Sequence, residues 1–517
     1  MGEDFVVKLP ELDYAALAPM LILFGAACLG VLVEAFVPRR ARNTAQLVLG
    51  LLALVAALVA VLMHAPDVTD ANALTGAQSL SIDQAGLFLQ GAILVLAIVA
   101  LLLFGERTLE NGGPFVAQAA ITVGSELDRR QAAKESGATE VYPLAVFAVA
   151  GMMLFVTANN LLVMFVALEV FSLPLYLLCA LARRKRLLSQ EAALKYFLLG
   201  AYASAFFLFG LAMIYGFAGA VDFRAIHASV TDSTNSPILL FIGLAMLSIG
   251  LLFKAAAAPF HVWTPDVYQG APTAVTAFMA ACTKVAAFGA LARVLYVGFD
   301  GLGWEFTPVL GVIAVLTMLI GAILAVTQTD LKRLLAYSSI ANAGYLLVGV
   351  LGGGKQGLSS MLFYLVAYGF LVIAAFAMLT LVRDADGEAT HLARWAGLGK
   401  RSPLFAGVFT FLLLGFAGIP LTSGFVAKFA VFGAGINGDQ TWLVLFGVLS
   451  SIILAFPYLR VVVMMWLSEP GETTPSVSIP GMLTSTALMI GVLVTLVLGV
   501  WPSPLLDLTT DVSNFIR

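Results

Sequence analysis

The sequence predicts an all-α polytopic membrane protein of about 14 transmembrane helices, arranged as two inverted five-helix repeats with two interrupted helices. Three observations predict it. The 517 residues are 61% hydrophobic and only 11% charged, where a soluble domain carries about 25% charged residues. Apolar stretches of roughly 20 residues, the length that crosses a bilayer, recur along the whole chain. Clusters of lysine and arginine fall between those stretches on alternate sides.

In order, the spans run at 15–37, 45–63, 85–104, 141–157, 160–182, 190–218, 237–258, 272–298, 308–327, 331–351, 357–382, 403–434, 441–467 and 480–501. The leading segment "MGEDFVVKLPELDY" is acidic and has no A-x-A site before Leu17, so it is not expected to be a removable signal peptide. Basic clusters follow spans 1, 3, 5, 9 and 11; eighteen of the 27 Lys and Arg collect on that side, against five on the other, Arg293 among the five. The positive-inside rule then places both termini outside the cytoplasm. The stretch 106–140 reads as a polar cytoplasmic loop to which no chemistry is assigned. The expected organisation is 1–140 (three helices and that loop), 141–298 (spans 4–8), 308–467 (spans 9–13, inverted) and 480–517 (the last helix).

Four lysines remain, and all lie inside spans: Lys195, Lys254, Lys284 and Lys428. A lysine at mid-bilayer costs about 2.5–3.5 kcal/mol on the insertion scale, so it faces protein or water and has a partner. Lys195 is the weakest case, about two turns inside the cytoplasmic end. Glu169, in "LLVMFVALEVFSLPLYLL", is the one carboxylate near the middle of a span. One buried lysine is as readily a static anchor as a working group. Four lysines with too few carboxylates to pair them read as a proton relay, in which a changing Glu169–Lys254 separation sets whether Lys254 holds its proton.

Two of the spans are expected to break. Span 7 carries Lys254 and then Pro259, while span 12 carries Gly415, Gly418, Pro420 and Gly424 before Lys428. Proline removes a donor and clashes with the preceding turn, and freed carbonyls at that depth are tolerated only against protein or water. The charge topology makes span 7 run inward and span 12 outward. Paired interrupted helices in inverted halves point to an ion pathway. Pro174, after Glu169, fits a further kink or an ordinary membrane-helix proline equally well. "GVLGGGKQ" (349–356) ends in Gln356 where a phosphate loop needs Ser or Thr, and it reads as a turn.

At "ALEVFSLPLYLL", "LLFKAAAAPFHVWTPDVYQGAPTAVTAFMAACTKVAAFG", "TDLKRLLAYSSIANAGYLLVG" and "GFAGIPLTSGFVAKF" the chain resembles the antiporter-like membrane subunits of respiratory complex I, the proton-pumping NADH:quinone oxidoreductase. Among its three large members, Lys428 argues against the M type, which has glutamate there. The chain stops too soon after span 14 for the lateral helix of the L type, so the N type is expected. The resemblance implies that Glu169 and Lys254 form the family's glutamate–lysine pair, that Lys284 is the central lysine, and that Lys428 is the terminal lysine of the outward half. It gives Lys195 an accessory role and makes His261 the link to cytoplasmic water. Many relatives have histidine where this chain has Asn342, so a titrating group is lost there.

The resemblance also implies that NADH, FMN, iron–sulfur clusters and quinone are handled by partner subunits. The partners it implies for this chain are the other membrane-arm subunits, including the M-type subunit and the small K- and J-type subunits, in a bacterial cell membrane. The chain's own residues agree: Cys28, Cys179 and Cys282 are isolated and the four histidines scattered, so no cofactor or metal is expected in this chain. Net charge of −3 gives no reason to expect nucleic acid. The alternatives are a subunit of a multisubunit cation/proton antiporter or membrane-bound hydrogenase, a redox or quinone-binding enzyme, and a non-conducting structural subunit.

Overall fold

The computed structural model describes residues 12–69, 73–76, 78–110, 112–118, 121–127, 130, 137–232, 236–384, 387–470 and 475–516. Lys8, Arg129, Lys134 and Arg517, used in the charge count, lie outside the described residues, as do the start of the chain and parts of the 106–140 loop.

Among the described residues, twelve helices are long and apolar enough to cross a membrane. They are α1 (Tyr14–Phe36), α2 (Arg39–His64), α3 (Gln84–Phe104), α5 (Leu161–Cys179), α6 (Arg186–Ala218), α7 (Ile238–Ala255), α9 (Thr273–Gly298), α10 (Gly303–Thr327), α11 (Leu331–Leu351), α12 (Gly354–Leu381), α15 (Thr441–Leu467) and α16 (Met482–Val500). Two shorter apolar helices are α4 (Val141–Thr157) and α13 (Pro403–Ala417), the latter followed by α14 (Ser423–Asn437). The short α8 (Trp263–Gly270) follows α7 and packs against α6 and α11. The chain is an all-α polytopic membrane protein.

Both expected interruptions are present. α7 stops at Ala255, Ala256 takes a left-handed φ of 61°, and helix resumes only at Trp263. α13 stops at Ala417, Gly418 takes φ 82°, and α14 begins at Ser423. Pro174, by contrast, lies inside an unbroken α5. A proline leaves one carbonyl unpaired, which a neighbouring helix can tolerate in a membrane bundle; α7 and α13 instead end at a residue in the left-handed conformation, Ala256 and Gly418, each with a proline two or three residues on.

Burial sorts the helices. α9 is buried along its whole length, and α11 and α12 almost so, whereas only about a quarter of α2 and α16 is buried. The buried three form the centre of the molecule. α9 also departs from α-helical geometry twice, with π turns at Met279–Thr283 and Val294–Gly298. Such turns leave backbone groups out of the regular ladder and occur often at functional sites; nothing in the apolar run signals them. On the rim, α6 and α7 cross in close backbone contact: a Cβ on Gly210 would lie 2.5 Å from the Leu247 nitrogen. Small residues of this kind let membrane helices lock together by packing alone.

Candidate functional site

Lys254, Lys284 and Lys428 are all buried, at 4%, 4% and 6% exposure. Each sits beside an irregularity of its helix. Lys254 occupies the last turn of α7 before the break, Lys284 follows the first π turn of α9, and Lys428 lies in α14 against the end of α13.

The contacts show what each ammonium meets. Lys428 Nζ donates to the carbonyls of Phe416 and Ala417, both at 3.0 Å, and to Ser451 Oγ at 2.9 Å. Those carbonyls are among the ones that α13 leaves open where it ends, so the lysine caps the C-terminus of the broken helix. Lys284 Nζ donates to the Ser339 carbonyl at 2.5 Å and lies 5.1 Å from the centre of the Tyr368 ring. Lys254 Nζ has one long contact, 3.4 Å to Tyr196 Oη, and four aromatic rings around it. Glu169 does not pair with Lys254; its carboxylate accepts from the Ser204 hydroxyl of α6. Freed carbonyls and ring faces thus replace the missing carboxylates, which the residue count alone could not specify.

Lys195 and His261 fall away from this row. Lys195 is 41% exposed and pairs with Glu191 at 2.7 Å and Asp266 at 2.6 Å. Asp266, on α8, also meets Arg333 of α11 at 2.6 Å, so the triad ties α6, α8 and α11 together. His261 lies partly buried in the segment between α7 and α8, and its Nδ1 has no protein partner among the described residues.

Between Lys284 and Lys428 a seam of polar side chains runs along α11. Tyr458 donates to Ser338 Oγ, Asn342 Nδ2 donates to the Ser338 carbonyl at 2.7 Å, and Tyr364 donates to Asn342 Oδ1. One turn further, Ser450 donates to Tyr345 Oη at 3.1 Å, and its neighbour Ser451 reaches Lys428. Asn342 is therefore fixed as a neutral link between a serine and a tyrosine. Between Lys254 and Lys284 the contacts are aromatic and apolar: Tyr196 stacks on Trp263 at 4.6 Å, and Trp263 meets Tyr268 edge-on at 6.4 Å.

Two charged clusters were not anticipated. Arg293, counted with the outer loops, is fully buried in α9 and pairs with Asp83 through both nitrogens, at 2.8 and 2.7 Å. An arginine inside the apolar run "FGALARVLYVG" was the available signal. At the other end of α9, Glu388 takes a hydrogen bond from Thr273 and pairs with Lys332 of α11 at 3.2 Å. Lys332 and Thr273 line a cavity together with Glu106, Glu110, Arg183 and Arg383. Among the described residues no cluster of metal-ligating side chains is found.

Comparison with known proteins places this arrangement. Residues 158–454 match the family model described as "NADH:quinone oxidoreductase/Mrp antiporter, TM". The chain is 68% identical, over 99% of both sequences, to NADH-quinone oxidoreductase subunit N of Salinispora arenicola. It superposes with a TM-score of 0.75 on a chain of respiratory complex I from Thermus thermophilus, at 30% identity, covering 95% of this chain and 99% of that one. A chain of the Mrp complex from Dietzia sp. gives a TM-score of 0.79 at 22% identity, covering 96% of this chain and 97% of that one; this is a likeness of fold alone.

Proposed function

Because the chain belongs to the antiporter-like family of NADH:quinone oxidoreductase membrane subunits, in its subunit N branch, we propose that its own part in the complex is to carry protons along the lysine row. It is a membrane subunit of a multisubunit oxidoreductase. The single observation that carries the proton reading is that three buried lysines stand on α7, α9 and α14 with no carboxylate in ion-pair contact among the described residues. A static anchor needs its counter-charge, because an unpaired buried charge is strongly destabilising. A lysine whose acceptors are neutral can lose and regain a proton without orphaning a carboxylate.

In this reading Glu169 and Lys254 form the switch, Lys284 the centre, and Lys428 the terminal station of the outward half. The Ser338–Asn342–Tyr364–Tyr458 seam bridges the last two. An amide exchanges protons poorly, so Asn342 orients Tyr364 while hydroxyls and water carry the proton. Lys195 and His261 serve the cytoplasmic end. Residues 141–298 and 308–467 are the two inverted repeats, flanked by 1–140 and 480–517. NADH, FMN, iron–sulfur clusters and quinone belong to other subunits of the complex, and the chain's own neighbours in the membrane arm include the M-, K- and J-type subunits. The complex resides in the bacterial cell membrane, with both termini of this chain on its outer side. An antiporter or hydrogenase assembly is the second reading, favoured only by the shared fold; proteins copurifying with the chain separate the two.

The test is proton translocation per NADH oxidised in sealed membrane vesicles carrying the assembled complex. Lys254→Ala, Glu169→Ala and Lys284→Ala are each expected to lower it. If all three variants match the wild type, the relay is wrong and the chain is a structural subunit.

A further inference from the structure

The four rings around Lys254 have no place in a simple glutamate–lysine switch, yet they are its closest neighbours. The ammonium lies 4.9 Å from the centre of the Tyr196 ring, 5.3 Å from Phe171, 5.3 Å from Tyr176 and 5.8 Å from Phe253. Its one hydrogen bond, to Tyr196 Oη, is long at 3.4 Å. An ammonium has three protons to donate, so the ring faces rather than hydrogen bonds hold it. Tyr196 and Tyr176 meet edge to face at 4.7 Å, which opens a corner for the cation. Tyr196 is backed by the Trp263 indole, stacked at 4.6 Å and 14°, and Trp263 Nε1 is itself fixed to the Phe253 carbonyl at 3.0 Å.

We propose that Phe171, Tyr176, Tyr196 and Phe253 form an aromatic cage that is the second seat of the Lys254 ammonium, used when the lysine is away from Glu169. Aromatic cages of this composition hold ammonium ions elsewhere through the negative face of the π system, and more strongly when water is excluded. Here Glu169 is engaged by Ser204, and Lys254 sits in the cage. The four are positioning residues: they decide where the charged lysine rests, and they take up no proton. The inference deepens the relay reading and rests on it.

A cage held by ring electrostatics differs from one held by packing or by the tyrosine hydroxyl, and the difference is measurable. Phenylalanine analogues with one, two and three ring fluorines, incorporated at position 171 of the chain in the whole complex, keep the shape of the ring while draining its negative face. Proton translocation in vesicles is expected to fall stepwise along that series, reaching about half or more of the loss caused by Lys254→Ala. Tyr196→Phe should retain translocation, while Tyr196→Leu should not. A flat fluorine series beside a damaging Lys254→Ala overturns the cage and leaves the relay standing. So does a Tyr196→Phe variant as impaired as Tyr196→Leu, since the hydroxyl would then be the working part. An unaffected Lys254→Ala overturns the cage, and with Glu169→Ala and Lys284→Ala also unaffected it overturns the relay itself.

Discussion

The three lysines differ less in depth than in what receives their protons. Lys428 has three acceptors, two of them carbonyls that α13 cannot satisfy within itself. Lys428→Met would bury both carbonyls without a donor, at about 1–3 kcal/mol each. Thermal unfolding of the purified complex is expected to begin at lower temperature in this variant, with loss of translocation. Outside the spans, Glu388 gives a dependence on pH. Burial pushes its carboxyl up, but Lys332, Thr273 and Arg383 outweigh burial and hold it below the ordinary glutamate value. A carboxyl lowered in the folded state lends stability above its unfolded value, and that stability is lost as pH falls through the folded one. Amide protection factors at 382–384 and 387–392, which correct for the intrinsic pH dependence of exchange, should therefore be high at neutral pH and fall in acid below the usual glutamate range. In Glu388→Gln the protection factors should already be low at neutral pH and change little in acid.

At the level of helices, the sequence was most informative where chemistry and geometry coincide. Span ends at 141–157, 331–351 and 441–467 match α4, α11 and α15, because apolar length alone determines a membrane helix. Both breaks were legible because proline and glycine act locally. The π turns of α9 were not, since they depend on how that helix is packed on every side. The breaks also set a backbone test. Gly418 has φ 82°, and a Cβ there would lie 3.0 Å from Lys428 Cδ. Gly418→Ala is expected to cost about 1–2 kcal/mol for the left-handed conformation, and to displace Lys428 as well. Translocation should thus fall by more than the shift in unfolding temperature explains; if the two fall in proportion, Gly418 serves the fold alone.

Across the whole molecule, charges far apart in sequence are what join the parts, and these the sequence concealed. Asp83 precedes α3, Arg293 lies in α9, and the Ile516 amide near the end of the chain also donates to Asp83, at 3.1 Å. Counting Arg293 as a loop residue was reasonable for a residue five from the end of an apolar run, but only the tertiary fold puts a carboxylate beside it. Removing one partner of such a pair costs about 3–5 kcal/mol, whereas replacing both with apolar groups of similar size is often close to neutral. Asp83→Leu and Arg293→Met are each expected to reduce the yield and unfolding temperature of the complex, with the double variant recovering part of the loss. A double variant worse than either single one would mean that the pair does not act as a unit.

The glycine contact between α6 and α7 has a mechanical consequence. Those two helices, in backbone contact at Gly210 and Gly243, carry Lys254, Tyr196 and Phe253 together. Glu169, Phe171 and Tyr176 all ride on α5, with Glu169 and Tyr176 about 10 Å apart along its axis. α5 is then a ruler with an anionic mark and an aromatic mark, read by a pointer fixed to the α6–α7 pair. A neighbouring subunit that slides or tilts α5 would change which mark the pointer meets while touching neither the lysine nor the glutamate.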